Sequence, residues 1–199
     1  MRVSRVAAAE SKARVVEKAS RMLRERGVEA ASIAEVMHAA GMTHGGFYKH
    51  FGSKDELARA AVRFAFEEII ERFDRRKAAE GAAAAVAAYI DDYLSAAHIA
   101  HSGFGCPVAA LGAEAARYDD ELRAEFIAGS ERLIQRLAEP AATEPHGDGK
   151  RARAAAIRTL TQLVGAAVIA RAVGQGALQD EILAACTERQ EGRAGGAAE

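Results

Sequence analysis

Tryptophan is absent, and proline occurs only as Pro107, Pro140 and Pro145. With so few breakers, abundant alanine and no runs of alternating β-branched residues, a sheet-based fold is excluded and an all-α fold is expected. The two cysteines, Cys106 and Cys186, lie 80 positions apart, which rules out a disulfide framework and does not match zinc-ligand spacing. No uninterrupted apolar stretch reaches about 18 residues, and the N-terminus lacks the apolar segment of a signal peptide, so a cytoplasmic protein with no membrane partner is expected. Nucleophile elbows, phosphate loops and paired-carboxylate motifs are missing too, so the chain does not read as an enzyme. His98 and His101 are spaced to chelate, but no third ligand stands near them; no metal site and no cofactor are expected.

Half of the 199 residues are apolar, enough for a sizeable core. The formal net charge of -1 conceals a division: residues 1–54 hold 10 Lys+Arg against 5 Asp+Glu, leaving 17 against 23 in the remainder. A basic N-terminal end suits phosphate binding by counterion release, and an acidic remainder keeps the rest of the protein off a polyanion.

The basic end contains the most patterned stretch, Ser32 to Leu57, SIAEVMHAAGMTHGGFYKHFGSKDEL. Ser32 and Glu35 can form a capping box at the start of a short helix. Ile33, Val36, Met37 and Ala40 give that helix one apolar face, and Gly41 can end it in the left-handed conformation. Thr43 is placed to cap a second helix, which offers Phe47 and Phe51 to the core and leaves His44, Gly45, Gly46, Tyr48, Lys49 and His50 outward. Ser53 and Glu56 make a second capping-box pair, so another helix starts about one turn later. Two short helices joined through Ala-Gly describe a helix-turn-helix, whose second helix can enter the DNA major groove.

At Ala40, Gly41, Thr43, Gly45, Tyr48, His50, Phe51, Lys54 and Leu57 the stretch resembles the TetR family of bacterial repressors. Two positions depart from the pattern: Val36-Met37 replaces the usual Ile-Ala, and Gly46 stands where a hydroxyl side chain is common. The resemblance covers about residues 11 to 60 and implies that Ser32, Thr43, His44, Gly45, Gly46, Tyr48, Lys49, His50 and Lys54 form the DNA-binding surface. Tyr48, His50 and Lys54 match positions that hold phosphates, and His44 is the best-placed side chain for a base edge.

Elsewhere the periodicity predicts helices over 11–26, 53–77, 82–101, 108–117, from Asp119 or Asp120 to 138, 151–173 and 177–190, the last two being the eighth and ninth along the chain. A basic arm over 1–10, a loop over 139–149 and a disordered tail from 192 complete the expected layout of about nine helices. The expected domains are a helix-turn-helix unit over 1–52, a helical effector-binding and dimerisation body over 53–191, and the tail over 192–199. The resemblance places an effector cavity near the break Ser102-Gly-Phe-Gly-Cys-Pro107. The residues expected to line it are Phe66, Tyr89, Tyr93, His98, Phe104, Cys106, Leu111 and Phe126, an aromatic set with few fixed charges. Cys106 reads either as a reactive thiol or as a small buried apolar residue.

The expected function is a one-component transcriptional regulator, a repressor. It would be a homodimer through the eighth and ninth helices, bound to a palindromic double-stranded DNA operator and released by a small apolar or electrophilic effector. The alternative is a helical small-molecule-binding or redox-sensing protein acting through a protein partner.

Overall fold

A computed structural model describes the backbone of residues 5–142 and 148–195 and the side chains up to 187. Every regular element among the described residues is helical: α1 (Arg5–Arg26), α2 (Ile33–Ala39), a 3₁₀ helix (His44–Lys49), α3 (Lys54–Glu80), α4 (Ala82–Leu94), α5 (Ala96–Ala100), a 3₁₀ turn (Ser102–Phe104), α6 (Pro107–Ala115), α7 (Asp120–Ala142), α8 (Gly149–Val173) and α9 (Ala177–Gly195). The all-α class stands as composition implied. Two compact units emerge, one from residues up to Glu68 with Ser102–Gly129, the other from Ile69–His101 with Ser130 onward. Residue 52, after which the helical body is expected to begin, lies within the first unit.

Several expected boundaries move for local reasons. Ala7, Ala8 and Ala9 are strong helix formers and extend α1 back to Arg5, in place of the expected basic arm; residues 1–4 lie outside the described set. The helix expected over 82–101 is broken at Ser95, whose extended backbone ends α4 while its hydroxyl accepts the His98 N–H (3.2 Å) and starts α5. His101 ends α5 and faces solvent, so the two histidines share no continuous helix. The expected loop over 139–149 is shortened from both sides: α7 passes through Pro140 to Ala142, and Asp148 caps α8 by accepting from the Lys150 and Arg151 N–H groups. The remainder of that loop, 143–147, lies outside the described residues. The expected tail begins inside α9, which runs to Gly195, and its last residues, 196–199, are also outside.

In the first unit, α1 buries Val15, Ala19 and Leu23 against a core that includes Val36, Met37, Phe47, Phe51, Leu57 and Ala61. Phe66 of α3 and Phe126 of α7 meet edge to face, 5.8 Å between centroids. Their helices approach closely because position 129 has no side chain: a Cβ there would lie 2.2 Å from the Phe66 ring. Pairs Arg59–Glu121 and Arg63–Glu125 run along the same two helices.

In the second unit, Leu160, Leu163, Ala167 and Ala170 of α8 are buried with Phe73, Tyr93, Ile99, Leu133 and Leu137. Asp74 and Arg136 form a two-bond pair (2.7 and 3.0 Å) between α3 and α7. Arg171 of α8 donates to the carbonyls of His98 (2.7 Å) and Ile99 (3.2 Å), satisfying the C-terminal end of α5.

Candidate nucleic-acid interface

The recognition segment is positioned by two caps and a glycine. Ser32 Oγ accepts the Glu35 N–H (3.2 Å) while Glu35 Oε2 accepts the Ser32 N–H (3.2 Å), the reciprocal box that the spacing predicts. The Ser32 hydroxyl, which donates to the carboxylate (2.7 Å), and then the Ser32 N–H, with Arg26 nearby, hold Glu35 below the usual carboxylate range. Gly41 has φ +72 and donates to the His38 carbonyl (2.9 Å), ending α2 as expected. The chain then enters the recognition segment at Thr43, whose backbone is extended but whose side chain makes no cap bond. The expected second helix is present and short, His44–Lys49 winding as a 3₁₀ helix. Adjacent Gly45 and Gly46 supply little helix propensity, and the short segment is held instead by the burial of Phe47 and Phe51, whose rings stack 5.6 Å apart.

That anchoring decides which side chains face outward. Thr43, His44, Gly45 and Lys49 are exposed and Tyr48 is 69% exposed, its ring edge-on to Phe47 at 5.2 Å. Gly46 and His50 are half-buried, His50 tilted toward Phe51. Ser32 is exposed, but its hydroxyl is engaged with Glu35 (2.7 Å). Lys54 is half-buried and donates to the carbonyl of Glu29 in the α1–α2 turn (2.9 Å), leaving two ammonium protons for any other partner. The second capping box is only half formed. Ser53 Oγ accepts the Glu56 N–H (3.1 Å), but Glu56 returns its bond to the N–H of Gly52 (2.7 Å) instead of Ser53.

The eight residues expected to line an effector site divide between the units. Phe66, Cys106, Leu111 and Phe126 are buried in the first. Phe104, also in the first, is 52% exposed: its 3₁₀ turn lies against α1, with the Arg21 guanidinium 4.5 Å from its ring centroid. It is therefore a surface stack rather than a buried aromatic wall. Tyr89, Tyr93 and His98 belong to the second unit and form a run of rings, 5.6 Å and then 4.4 Å between centroids, extended by Phe73 at 6.4 Å from Tyr89. Burial lowers the His98 pKa to about 4, its Nδ1 donates to the Tyr93 carbonyl (2.6 Å), and Arg171 and Arg72 further disfavour its charged form.

Residues that the sequence reading passed over complete the first unit. The Arg24 side chain is fully buried, donating to the carbonyls of Ser20 (3.1 Å) and Gly105 (2.9 Å) and to Glu68 (2.7 Å), and it interacts electrostatically with Cys106. The available signal was a cation on the apolar stripe of α1, one turn beyond Ser20. Glu114 of α6 accepts the Val28 N–H (3.1 Å) and the Tyr118 hydroxyl (2.7 Å), tying α6 to the α1–α2 turn. Burial and that carboxylate push Tyr118 well above the ordinary phenol range.

A three-helix head with two caps and an outward recognition turn, in the basic N-terminal stretch of the chain, has the form of a helix-turn-helix DNA-binding unit. The family model described as bacterial regulatory proteins, tetR family, matches residues 15–61. The uncharacterized HTH-type transcriptional regulator Rv0196 of Mycobacterium tuberculosis is 31% identical over 163 residues, spanning 79% of this chain and 82% of its own. Among solved structures, a TetR transcriptional regulator from Legionella pneumophila has a TM-score of 0.74 at 15% identity, covering 88% of this chain and 95% of that one. The reduced form of Escherichia coli NemR has a TM-score of 0.72 at 18% identity, covering 90% and 97%. The chain belongs to the TetR family of transcriptional regulators.

Proposed function

We propose that the protein is a repressor, which as a homodimer holds a palindromic operator and releases it when a small, largely apolar molecule binds the helical body. The observation that carries the DNA part is the recognition turn: buried Phe47 and Phe51 hold Thr43, His44, Tyr48 and Lys49 outward on one short segment. Phosphate contacts fall to Tyr48 and Lys49, with His50 and Lys54 beside them, and base contact to His44 and the backbone of Gly45 and Gly46. A cytoplasmic location goes with this role.

Release is a population shift: an effector lowers operator affinity by its differential affinity for the non-binding conformation. The first unit offers it Phe66, Leu111 and Phe126 and the second offers the run Tyr89, Tyr93 and His98; each set by itself favours a neutral aromatic over a charged molecule. Cys106 is only 2% exposed, which favours a reversible ligand over direct attack by an electrophile.

The test is selection of duplexes from a random pool by the purified protein, followed by gel shift with specific competitor. Enrichment of a two-fold symmetric site is expected, and His44→Ala should alter its sequence preference. Failure to enrich any duplex would favour the alternative, a sensor acting through a protein partner. Treatment with a thiol-reactive quinone should release operator equally from the wild type and Cys106→Ser; release confined to the wild type would restore the thiol as the sensor.

A further inference from the structure

The basic head carries several lysines, and the structure separates them by what they touch. Lys49 is exposed on the recognition turn, and its side chain makes no ion pair or hydrogen bond with other described residues. Lys12 of α1 is differently placed. Its ammonium lies 4.8 Å from the centroid of the Phe51 ring and 3.7 Å from Glu56 Oε1. Phe51 is one of the two buried rings that anchor the recognition turn, and Glu56 is the residue that accepts the Gly52 N–H (2.7 Å) at the exit of that turn. Lys12 therefore bridges α1 to both groups that decide where the turn ends. The Gly52 N–H, with Lys12 and Arg59 nearby, holds the Glu56 carboxyl below its ordinary range.

A lysine already beside a carboxylate brings little net charge to a phosphate. To make a phosphate contact it would have to leave both Glu56 and the ring face, exchanging two partners for one. A cation over an aromatic face and a paired carboxylate are each modest at a surface, yet both act here on a six-residue 3₁₀ segment with little helix propensity of its own. We propose that Lys12 is a positioning residue, which holds the recognition turn in its DNA-reading register through Phe51 and Glu56, and is not a phosphate ligand. The inference rests on the DNA-binding reading above and adds a role to a residue outside the recognition segment.

The experiment measures the salt dependence of binding by fluorescence anisotropy, using the duplex the wild type selects and a random-sequence duplex of the same length. Lys12→Ala should weaken binding to the selected duplex by roughly fivefold per head, the scale of one lost polar contact. Its affinity for the random duplex and its salt slope should match the wild type, since no phosphate contact is lost. Lys12→Arg, which keeps the ring stack and the pair with Glu56, should recover most of the loss. For comparison, Lys49→Ala should weaken both duplexes and reduce the slope by about 0.9 per phosphate contact removed. A Lys12→Ala slope reduced in the same way, with equal losses on both duplexes, would overturn the proposal and make Lys12 a phosphate ligand. No loss on either duplex would also overturn it. Thermal unfolding of each variant identifies any that fails to fold, and Lys12→Gln then takes the place of the alanine variant. A wild type that selects no duplex ends the DNA-binding reading itself, an outcome distinct from either result for Lys12.

Discussion

Gly129 and Phe66 show how a single atom decides a helix–helix contact. A Cβ at position 129 would lie within 2.2–2.6 Å of three Phe66 ring atoms, and Phe66 is itself 1% exposed with Phe126 edge-on to it. Gly129→Ala is expected to cost about 1–3 kcal/mol by overpacking, read as a lower urea midpoint; an unchanged midpoint would mean that the ring swings aside freely. His98 carries a pH dependence of determinate sign. Its pKa falls from 6.5 to about 4 on folding, mainly by burial, so the unfolded chain binds the extra proton between those values. Stability attributable to this residue is complete above about pH 6.5 and lost as pH falls toward 4, by about 1–3 kcal/mol after allowing for its partial exposure. Comparing urea midpoints at pH 7 and 4.5 in the wild type and His98→Gln checks this; equal losses in both would dismiss it. At this scale, though Gly46 and His50 are half-buried, the exposed side of the recognition turn was largely legible, because the spacing of Phe47 and Phe51 fixes which residues are buried. Phe104 was not, since nothing local says that its turn folds back under Arg21 of α1.

Among the elements, legibility follows the range of the interaction that ends each one. The Ser32–Glu35 box and the Gly41 stop are complete within a few residues, and both form as the spacing predicts. The break between α4 and α5 was hidden because an alanine-rich segment with one serine reads as a continuous helix. The far end of α5 is held at long range, where Arg171, more than 70 positions away, takes the carbonyls of His98 and Ile99. Ser95 supplies the local half by accepting the His98 N–H (3.2 Å) and donating to the Asp92 carbonyl (2.7 Å). Ser95→Ala is therefore expected to cost about 1 kcal/mol. Hydrogen exchange at the His98 amide should accelerate with it, and a protected amide in that variant would show that Arg171 alone suffices.

At the scale of the whole molecule, α8 and α9 present an apolar surface that the packing of their own unit does not explain. On α8, Leu160, Leu163, Ala166, Ala167 and Ala170 are buried within the second unit, whereas Ile157, Val168, Ile169 and Val173 are 38–52% exposed, and Leu178 of α9 is 55% exposed. At 3.6 residues per turn, Ile157 and Val168 flank one side of the outward face and Ile169 and Val173 the other. Thr161, Gly165 and Ala172 lie between, with Arg158 the one charge among them. A Cβ at Gly165 would meet nothing within 4 Å, so the groove is open along its middle. Ala166 and Ala167 face inward, so Gly165 is the residue without a side chain on the outward face. We propose that this face is where the homodimer forms: two apolar rows with a small-residue groove suit a second copy of the same face around a two-fold axis, and a two-fold pair of heads would suit a palindrome. Ile169→Glu is expected to convert a dimer into a monomer by light scattering at micromolar concentration, and to weaken operator binding at least tenfold while leaving helical content intact. Gly165→Leu, which fills the groove without adding charge, should have the same effect on assembly. A wild type that is already monomeric without DNA, or variants that stay dimeric, would place the contact on another surface.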